Sequence, residues 1–465
     1  MTDTLMVGVS GVRGIVGKDL TPEVVAGWAR AFGTWVGEGR GEGRRERPRV
    51  VVGRDARASG PAFAAAVTAG LVSVGCDVVD LGLVPTPTVQ LAVEHHHASG
   101  GVAITASHNP IEWNALKFIG PDGIFLDGAA GTRVAALARD ATGAEPRNGG
   151  RVSTDLGAIE RHLAGVLALP TLDVERIRAR RFQVALDAVR GAGGPAMGAL
   201  LERLGCRVVG INLETDGQFP RAPEPVPENL GELIALVRRS DADLGVAVDP
   251  DVDRLAIVDE QASAIGEDYT LAFAVRAVLG GAASQAGAAP RVVVCNLSTS
   301  LVVEDAARDC GAAVARTPVG EAHVARVLRE LHAPIGGEGN GGVIYPLLHV
   351  GRDAPVAAAL VLELLARTGK RVSDLVAAAP RYTIVKAKVP RSSARRLPTA
   401  DDLDSALLRG AKVDRQDGLR LAWRDRWLHV RPSNTEPIIR LIAEAPTRAE
   451  AEQLVEEGRR LCAAS

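Results

Sequence analysis

The chain reads as a multi-domain α/β protein, and three observations carry that reading. At 465 residues it is too long for a single hydrophobic core, and about 100–200 residues per domain gives roughly three or four domains. A unit of strand, helix and strand recurs in tandem along the first two thirds. After about Ser373 the pattern becomes alternating strands with one wet face, closed by a helix. The expected layout is three similar α/β domains over residues 1–147, 148–262 and 263–370, followed by a smaller α+β domain over 371–465.

The first unit runs from Arg49-Val50-Val51-Val52-Gly53 through an Ala-rich helical stretch to Val74-Gly75-Cys76-Asp77-Val78-Val79. The second leads from Phe182-Gln183-Val184-Ala185-Leu186 through a helix at Pro195 to Leu204 into Gly205-Cys206-Arg207-Val208-Val209. The third joins Arg291-Val292-Val293-Val294-Cys295 to Cys310-Gly311-Ala312-Ala313-Val314 through a helix from Leu301 to Asp309. Strands alternating with single helices imply layered sheets with largely parallel pairing. Between elements, Gly37 to Arg49 is almost all Gly, Glu and Arg and reads as an exposed loop. Arg57 and Ser59 are expected to cap the helix that follows them and to pair locally. His95-His96-His97 invites a metal reading, but consecutive residues at a helix end point in different directions, so a solvated terminus fits better. In the last domain, Tyr382 to Val389, Gly418 to Trp423 and Trp427 to Val430 read as strands, and Thr447 to Cys462 as a helix.

Charge excludes some partners. Lys plus Arg total 54 against 56 Asp plus Glu, for a net charge of −2, so nothing draws the chain to nucleic acid or an anionic membrane. The cysteines, Cys76, Cys206, Cys295, Cys310 and Cys462, are scattered without a metal or redox spacing, as suits a reducing cytosol. Met1 to Met6 lacks a signal-peptide pattern, and the apolar run Ala354 to Ala366 is broken by Glu363 and too short to span a bilayer. A cytoplasmic protein is expected.

Five polar loops remain. Val7 to Gly14 offers glycines and Arg13 for an anion, although a plain turn explains it as well. Gly101-Val102-Ala103-Ile104-Thr105-Ala106-Ser107-His108-Asn109-Pro110 is a buried strand that ends in a polar turn, where Pro110 stops further pairing. Ser107 is there either a turn former or a nucleophile. Asp249-Pro250-Asp251-Val252-Asp253-Arg254 sets carboxylates at alternate positions between apolar strands, and they repel unless a hard cation joins them. A calcium loop competes, since Glu260 falls at its last ligand position, but Arg254 stands where that loop needs glycine; magnesium completed by a phosphate fits better. Gly336-Gly337-Glu338-Gly339-Asn340-Gly341-Gly342 is either an ordinary turn or a grip for sugar hydroxyls. Arg431-Pro432-Ser433-Asn434-Thr435-Glu436-Pro437 gathers the donors of a phosphate cradle.

The order of the last four of these loops resembles the α-D-phosphohexomutase superfamily, over nearly the whole chain from Gly8 to Arg440. The resemblance implies four domains with mixed sheets around a central cleft, one loop from each. It implies that Ser107 is carried as phosphoserine and that Asp249, Asp251 and Asp253 bind Mg²⁺ with that phosphate. Glu338 and Asn340 would meet the sugar, while Arg431, Ser433, Asn434 and Thr435 hold the phosphate that is not transferred. Arg13, His108, Lys117 and Arg254 would line the reacting group, with Lys117 or His108 moving the proton. The implied reaction interconverts hexose 6-phosphate and hexose 1-phosphate through a hexose 1,6-bisphosphate intermediate that also acts as activator. The implied partner is a small phosphosugar, the chain being a monomer or homodimer. Two departures stand out: Asn340 where serine is usual, and Val9 where threonine is common. Gly-Glu-Gly-Asn-Gly-Gly with Gly351-Arg352-Asp353 is similar to the archaeal-type phosphoglucosamine mutase branch, so glucosamine phosphate is the expected sugar, with phosphomannomutase/phosphoglucomutase activity as the alternative. A metal-dependent sugar phosphatase and a non-catalytic phosphosugar-binding protein are rivals of a different kind. The cradle at Arg431 counts against the first and the intact Ser107, Lys117 and Asp triad against the second.

Overall fold

The β-branched runs form strands with both faces covered, because helices pack on either side of them; Gly100–Ile104, Leu244–Val248 and Leu255–Asp259 are buried at every position. The computed structural model describes residues 5–8, 11–38, 47–140, 149–281, 291–391, 409–433 and 438–464. Its strands make a seven-stranded, two four-stranded and one five-stranded sheet.

All three expected repeat units are present as parallel pairs joined by one helix. Arg49–Arg54 pairs with Asp77–Leu83 around the helix Gly60–Ser73. Gln183–Asp187 pairs with Arg207–Ile211 around Gly193–Arg203. Val292–Asn296 pairs with Ala313–Thr317 around Leu301–Asp309. On the other side of each first strand lies a second parallel neighbour that turns straight back as an antiparallel hairpin. The hairpins are Gly100–Ile104 with Trp113–Ile119, Leu244–Val248 with Leu255–Asp259, and Ile335–Glu338 with Gly342–Ile344. The sheets are therefore mixed rather than largely parallel, and the three hairpins are topologically equivalent. The first sheet is widened by Gly11–Ile15 and Met6–Gly8 at one edge and by Val152–Thr154, beyond residue 147, at the other.

The C-terminal sheet is wholly antiparallel, in the order Thr383–Pro390, Ile438–Ala445, Trp427–Pro432, Leu419–Ala422, Lys412–Asp414. One face, through Leu428, Val430, Leu441 and Ala443, packs against Val455 and Cys462 of the helix Arg448–Ala464. The other face carries Arg420, Trp427, His429, Arg431 and Glu444, as strand alternation requires.

Core burial does not follow the repeats. The first domain has its own core around Phe32, Leu71, Ile104 and Phe118. The second and third share one, in which Leu186, Met197 and Leu200 belong to the same cluster as Phe273, Leu360 and Leu364. The helix Ala354–Thr368 is buried almost all round because it sits between those two domains.

Two local expectations change. Gly37 and Glu38 end the helix Pro22–Glu38 rather than open a loop, while residues 39–46 and Val9 lie outside the described residues. Ser59 makes no side-chain cap and instead accepts a hydrogen bond from Asn114. His96 bonds Asp155, and among the described residues the histidine run forms no metal cluster. All five cysteines are free thiols. Among the described residues no helix is long and apolar enough to cross a membrane.

Candidate active site

Topological equivalence of the hairpins brings the chemistry together: their turns carry Ser107, the Asp triad and the Glu338 loop, and all three open on one cleft. A cavity of about 360 Å³ is lined by Arg13, Ser107, His108, Lys117, Arg254, Glu338 and Asn340, all singled out from sequence.

Ser107 is held in the left-handed region at φ +47°, an uncommon conformation for a residue with a side chain. Its amide donates to Thr105 Oγ1 at 2.9 Å. Its hydroxyl donates to Asp249 Oδ2 at 2.8 Å and lies 3.3 Å from His108 Nδ1. The Arg254 guanidinium, burial and Arg13 together hold His108 well below the usual histidine range, so its ring is neutral. Arg13 donates to Asn109 Oδ1, so the opening strand and the serine loop are tied.

The Asp249, Asp251 and Asp253 carboxylates each place an oxygen within 4.8 Å of the others. Asp249 is pushed well above the carboxylate range by burial and by its two neighbours. Asp251 moves the other way: burial opposes its ionisation, but Lys117 Nζ at 2.6 Å and Thr86 Oγ1 at 2.9 Å outweigh that cost. Lys117 is correspondingly held charged, its own burial being overcome by Asp251 and Asp253. Asp251 Oδ1 and Asp253 Oδ1 are buried and accept no hydrogen bond. Orphaned carboxylate oxygens converging beside a serine hydroxyl are the donor set that a hard cation such as Mg²⁺ takes.

The third loop is tied to the second by a side chain that the sequence reading did not place in the site. Arg352 is buried and bonds Asp253 at 2.6 Å, Glu338 at 2.7 Å and Glu321 at 3.0 Å. Glu338 also accepts from Asn296 at 2.8 Å and the Gly320 amide at 3.0 Å. Burial alone would raise its carboxyl, but Arg352 and these donors bring it below its ordinary value. Asn340 lines the cleft yet its Oδ1 accepts from the Gly342 amide of its own turn. Arg254 points to Glu224 at 3.2 Å, with its buried Nε lacking a hydrogen bond.

Arg431 and Ser433 do not line this cavity. Arg431 Nε donates to Asp417 Oδ2 at 2.7 Å, and the same oxygen accepts from the Val319 amide, so the cradle is linked to the Val319–Gly320 turn of the cleft wall. Asn434 and Thr435 lie outside the described residues. Glu321, Arg352 and Thr86 were missed because their partners are remote in the chain. Gly351-Arg352-Asp353 was visible only as part of a resemblance.

Comparison with known proteins accounts for this arrangement of loops. Residues 4–144, 160–263 and 267–382 match phosphoglucomutase/phosphomannomutase alpha/beta/alpha domains I, II and III, and residues 384–461 match the C-terminal domain of that family. The chain belongs to the phosphoglucomutase/phosphomannomutase family. It is 40% identical over 98% of its length to a phosphoglucomutase/phosphomannomutase of Thermococcus kodakarensis, 97% of which is covered. It is 37% identical over 97% of its length to a probable phosphoglucosamine mutase of Methanopyrus kandleri, with 96% of that chain covered. The crystal structure of a phosphoglucomutase/phosphomannomutase family protein from Burkholderia thailandensis superposes with a TM-score of 0.82 at 27% identity, covering 98% of this chain and 96% of the other. As a phosphohexomutase the chain is an isomerase, and the predicted α/β layout of four domains is the family's own.

Proposed function

We propose that this phosphohexomutase interconverts glucosamine 6-phosphate and glucosamine 1-phosphate, with Ser107 as the phosphoryl carrier. The observation that supports the carrier is the Ser107 hydroxyl, buried between Asp249 and the neutral His108 at the wall of the cleft. The phosphoryl group on Ser107 passes to the free hydroxyl of the sugar, the bisphosphate turns end for end, and the other phosphate returns to Ser107. Each transfer needs a proton taken from the attacking hydroxyl and one returned to the leaving oxygen. A neutral His108 can accept a proton, and the charged Lys117 can give one. Arg13, Arg254 and Lys117 put positive charge around a transferring group whose negative charge lies on its equatorial oxygens. Asp249, Asp251 and Asp253 would hold Mg²⁺ together with Ser107, and when bound it adds to that neutralisation.

Glu338 and Asn340 are assigned to the sugar hydroxyls, and Arg431, Ser433, Asn434 and Thr435 to the phosphate at rest. For the sugar itself, the support is the name of relatives such as that from Methanopyrus kandleri. The Thermococcus kodakarensis relative favours a second reading, in which glucose and mannose phosphates are turned over. Assays of the three hexose 6-phosphates side by side decide between them. Intact-mass spectrometry of the purified protein tests the carrier: one stably bound phosphoryl group at Ser107 is expected, and a Ser107→Ala variant with normal turnover would remove the serine from the mechanism.

A further inference from the structure

We propose that Arg57 is a positioning residue for phosphoryl transfer, clamping the backbone of the Ser107 loop so that its hydroxyl and side chains are turned to the cleft. Arg57 is 1% exposed. Its guanidinium has five N–H donors in a rigid plane, and all of them are used. Nε donates to Asp55 Oδ2 at 3.1 Å, NH1 to the carbonyls of Pro110 and Trp113 at 2.7 and 2.9 Å, and NH2 to those of Ser107 and Asn109, both at 2.7 Å. The local pairing expected of Arg57 is therefore one bond out of that set; the others reach 50 to 56 residues along the chain.

The consequence lies in where those carbonyls point. With three of the loop's carbonyl oxygens and that of Trp113, where the return strand begins, drawn to one cation, the opposite side of the loop presents Ser107, His108 and Asn109 to Asp249, the cleft and Arg13. The same cation offsets the strain of the left-handed Ser107, whose φ is +47°. No donor of Arg57 remains for a substrate, so it acts only through the loop. Its outer face is covered by the second domain: the Phe219 ring lies 4.9 Å from the guanidinium carbon. Gly217 in the same loop comes so close that a Cβ there would meet the Ala56 carbonyl at 2.3 Å. The second domain thus supplies the metal loop and also the lid over the clamp on the serine loop.

The proposal rests on Ser107 as phosphoryl carrier, and the test separates the two. Arg57→Lys keeps the charge but offers fewer donors on a flexible stem. Displacing a reacting group by about 1 Å can cost on the order of 100-fold, so kcat should fall by about that factor while KM for the hexose phosphate stays within roughly threefold. Amide hydrogen exchange over residues 105–113 should speed up while that over 244–259 does not. Phe219→Leu removes only the lid and should lower kcat about 3- to 10-fold with the same exchange signature, which keeps the idea testable should Arg57→Lys fail to fold. Ser107→Ala is measured alongside. If Ser107→Ala turns over normally, the carrier reading falls, and faster exchange over 105–113 still supports the clamp. If Ser107→Ala is inactive but both clamp variants keep wild-type kcat, lose efficiency only through KM, or leave exchange over 105–113 unchanged, the clamp is overturned.

Discussion

Acidification should loosen the C-terminal domain through one histidine. His429 is completely buried where that domain meets the third. Its Nε2 donates to the Asp417 carbonyl at 2.7 Å, and its Nδ1 lies 2.9 Å from Ser298 Oγ, whose hydroxyl donates to the ring when it is neutral. Burial brings its pKa down to about 4, outweighing the help of Asp417. An unfolded histidine titrates near 6.5, so between those values the unfolded chain binds more protons than the folded one and stability rises with pH. The stability due to neutral His429 is thus fully present above about 6.5, is lost as pH falls toward 4, and changes no further below that. A shift from about 6.5 to about 4 corresponds to about 3 kcal/mol at about 1.4 kcal/mol per unit. The assay is hydrogen exchange over residues 427–433 in the wild type and in His429→Gln, which has no titration there, from pH 4 to 7 after correction for intrinsic exchange rates. The wild type should lose protection relative to the variant as pH drops. Parallel profiles would refute the assignment of a His429 that burial keeps neutral near pH 7.

Other outcomes follow from the site. In the absence of divalent cations, Asp249→Asn should raise the melting temperature by relieving carboxylate repulsion, whereas Asp251→Asn should lower it by leaving buried Lys117 with a weaker partner; thermal melts in EDTA check the opposite signs. Arg352→Met strips a shared cation from Asp253, Glu321 and Glu338, and breaking a buried pair costs about 3–5 kcal/mol, so denaturation should show that loss and kinetics should show magnesium and sugar half-saturation rising together. Arg431→Ala should lower kcat/KM on phosphosugars roughly 10- to 100-fold, from charge-assisted bonds worth ~1.5–3 kcal/mol each, while intact mass still shows phosphorylated Ser107.

What the sequence disclosed and what it withheld divide along chain distance. Ser107, the Asp triad and Glu338 could be picked out as neighbours of one cleft because a strand that stops in a polar or glycine-dense turn is visible in adjacent letters. The repeat units could be read because strand and helix periodicity is local. Arg352, Glu321 and Thr86 could not, since each is an unremarkable helix or turn residue until the fold brings carboxylates to Arg352 and Thr86 and a guanidinium to Glu321. Arg57 was read only in part for the same reason: its local partner Asp55 is two residues away, while the serine loop is 50 or more. The repression of His108 and the opposed shifts of Asp249 and Asp251 also depend on burial, which no letter records. Equivalence of the three hairpins was hidden because no residue type is common to all three turns, only a place in the sheet.

The core shared by the second and third domains sets a limit on how the gene could be cut. A fragment ending near residue 262 would leave Leu186, Met197 and Leu200 without Phe273, Leu360 and Leu364, and a bared apolar face of that kind invites aggregation. The C-terminal domain instead closes a separate cluster around Leu428, Leu441 and Val455. The second and third repeats, each with its own hairpin, are thus joined through one buried cluster. In circular permutation or split-protein engineering, a break at the exposed Pro380–Arg381, past the helix Val372–Ala377 that packs on the shared core, should be tolerated far better than one between the second and third domains.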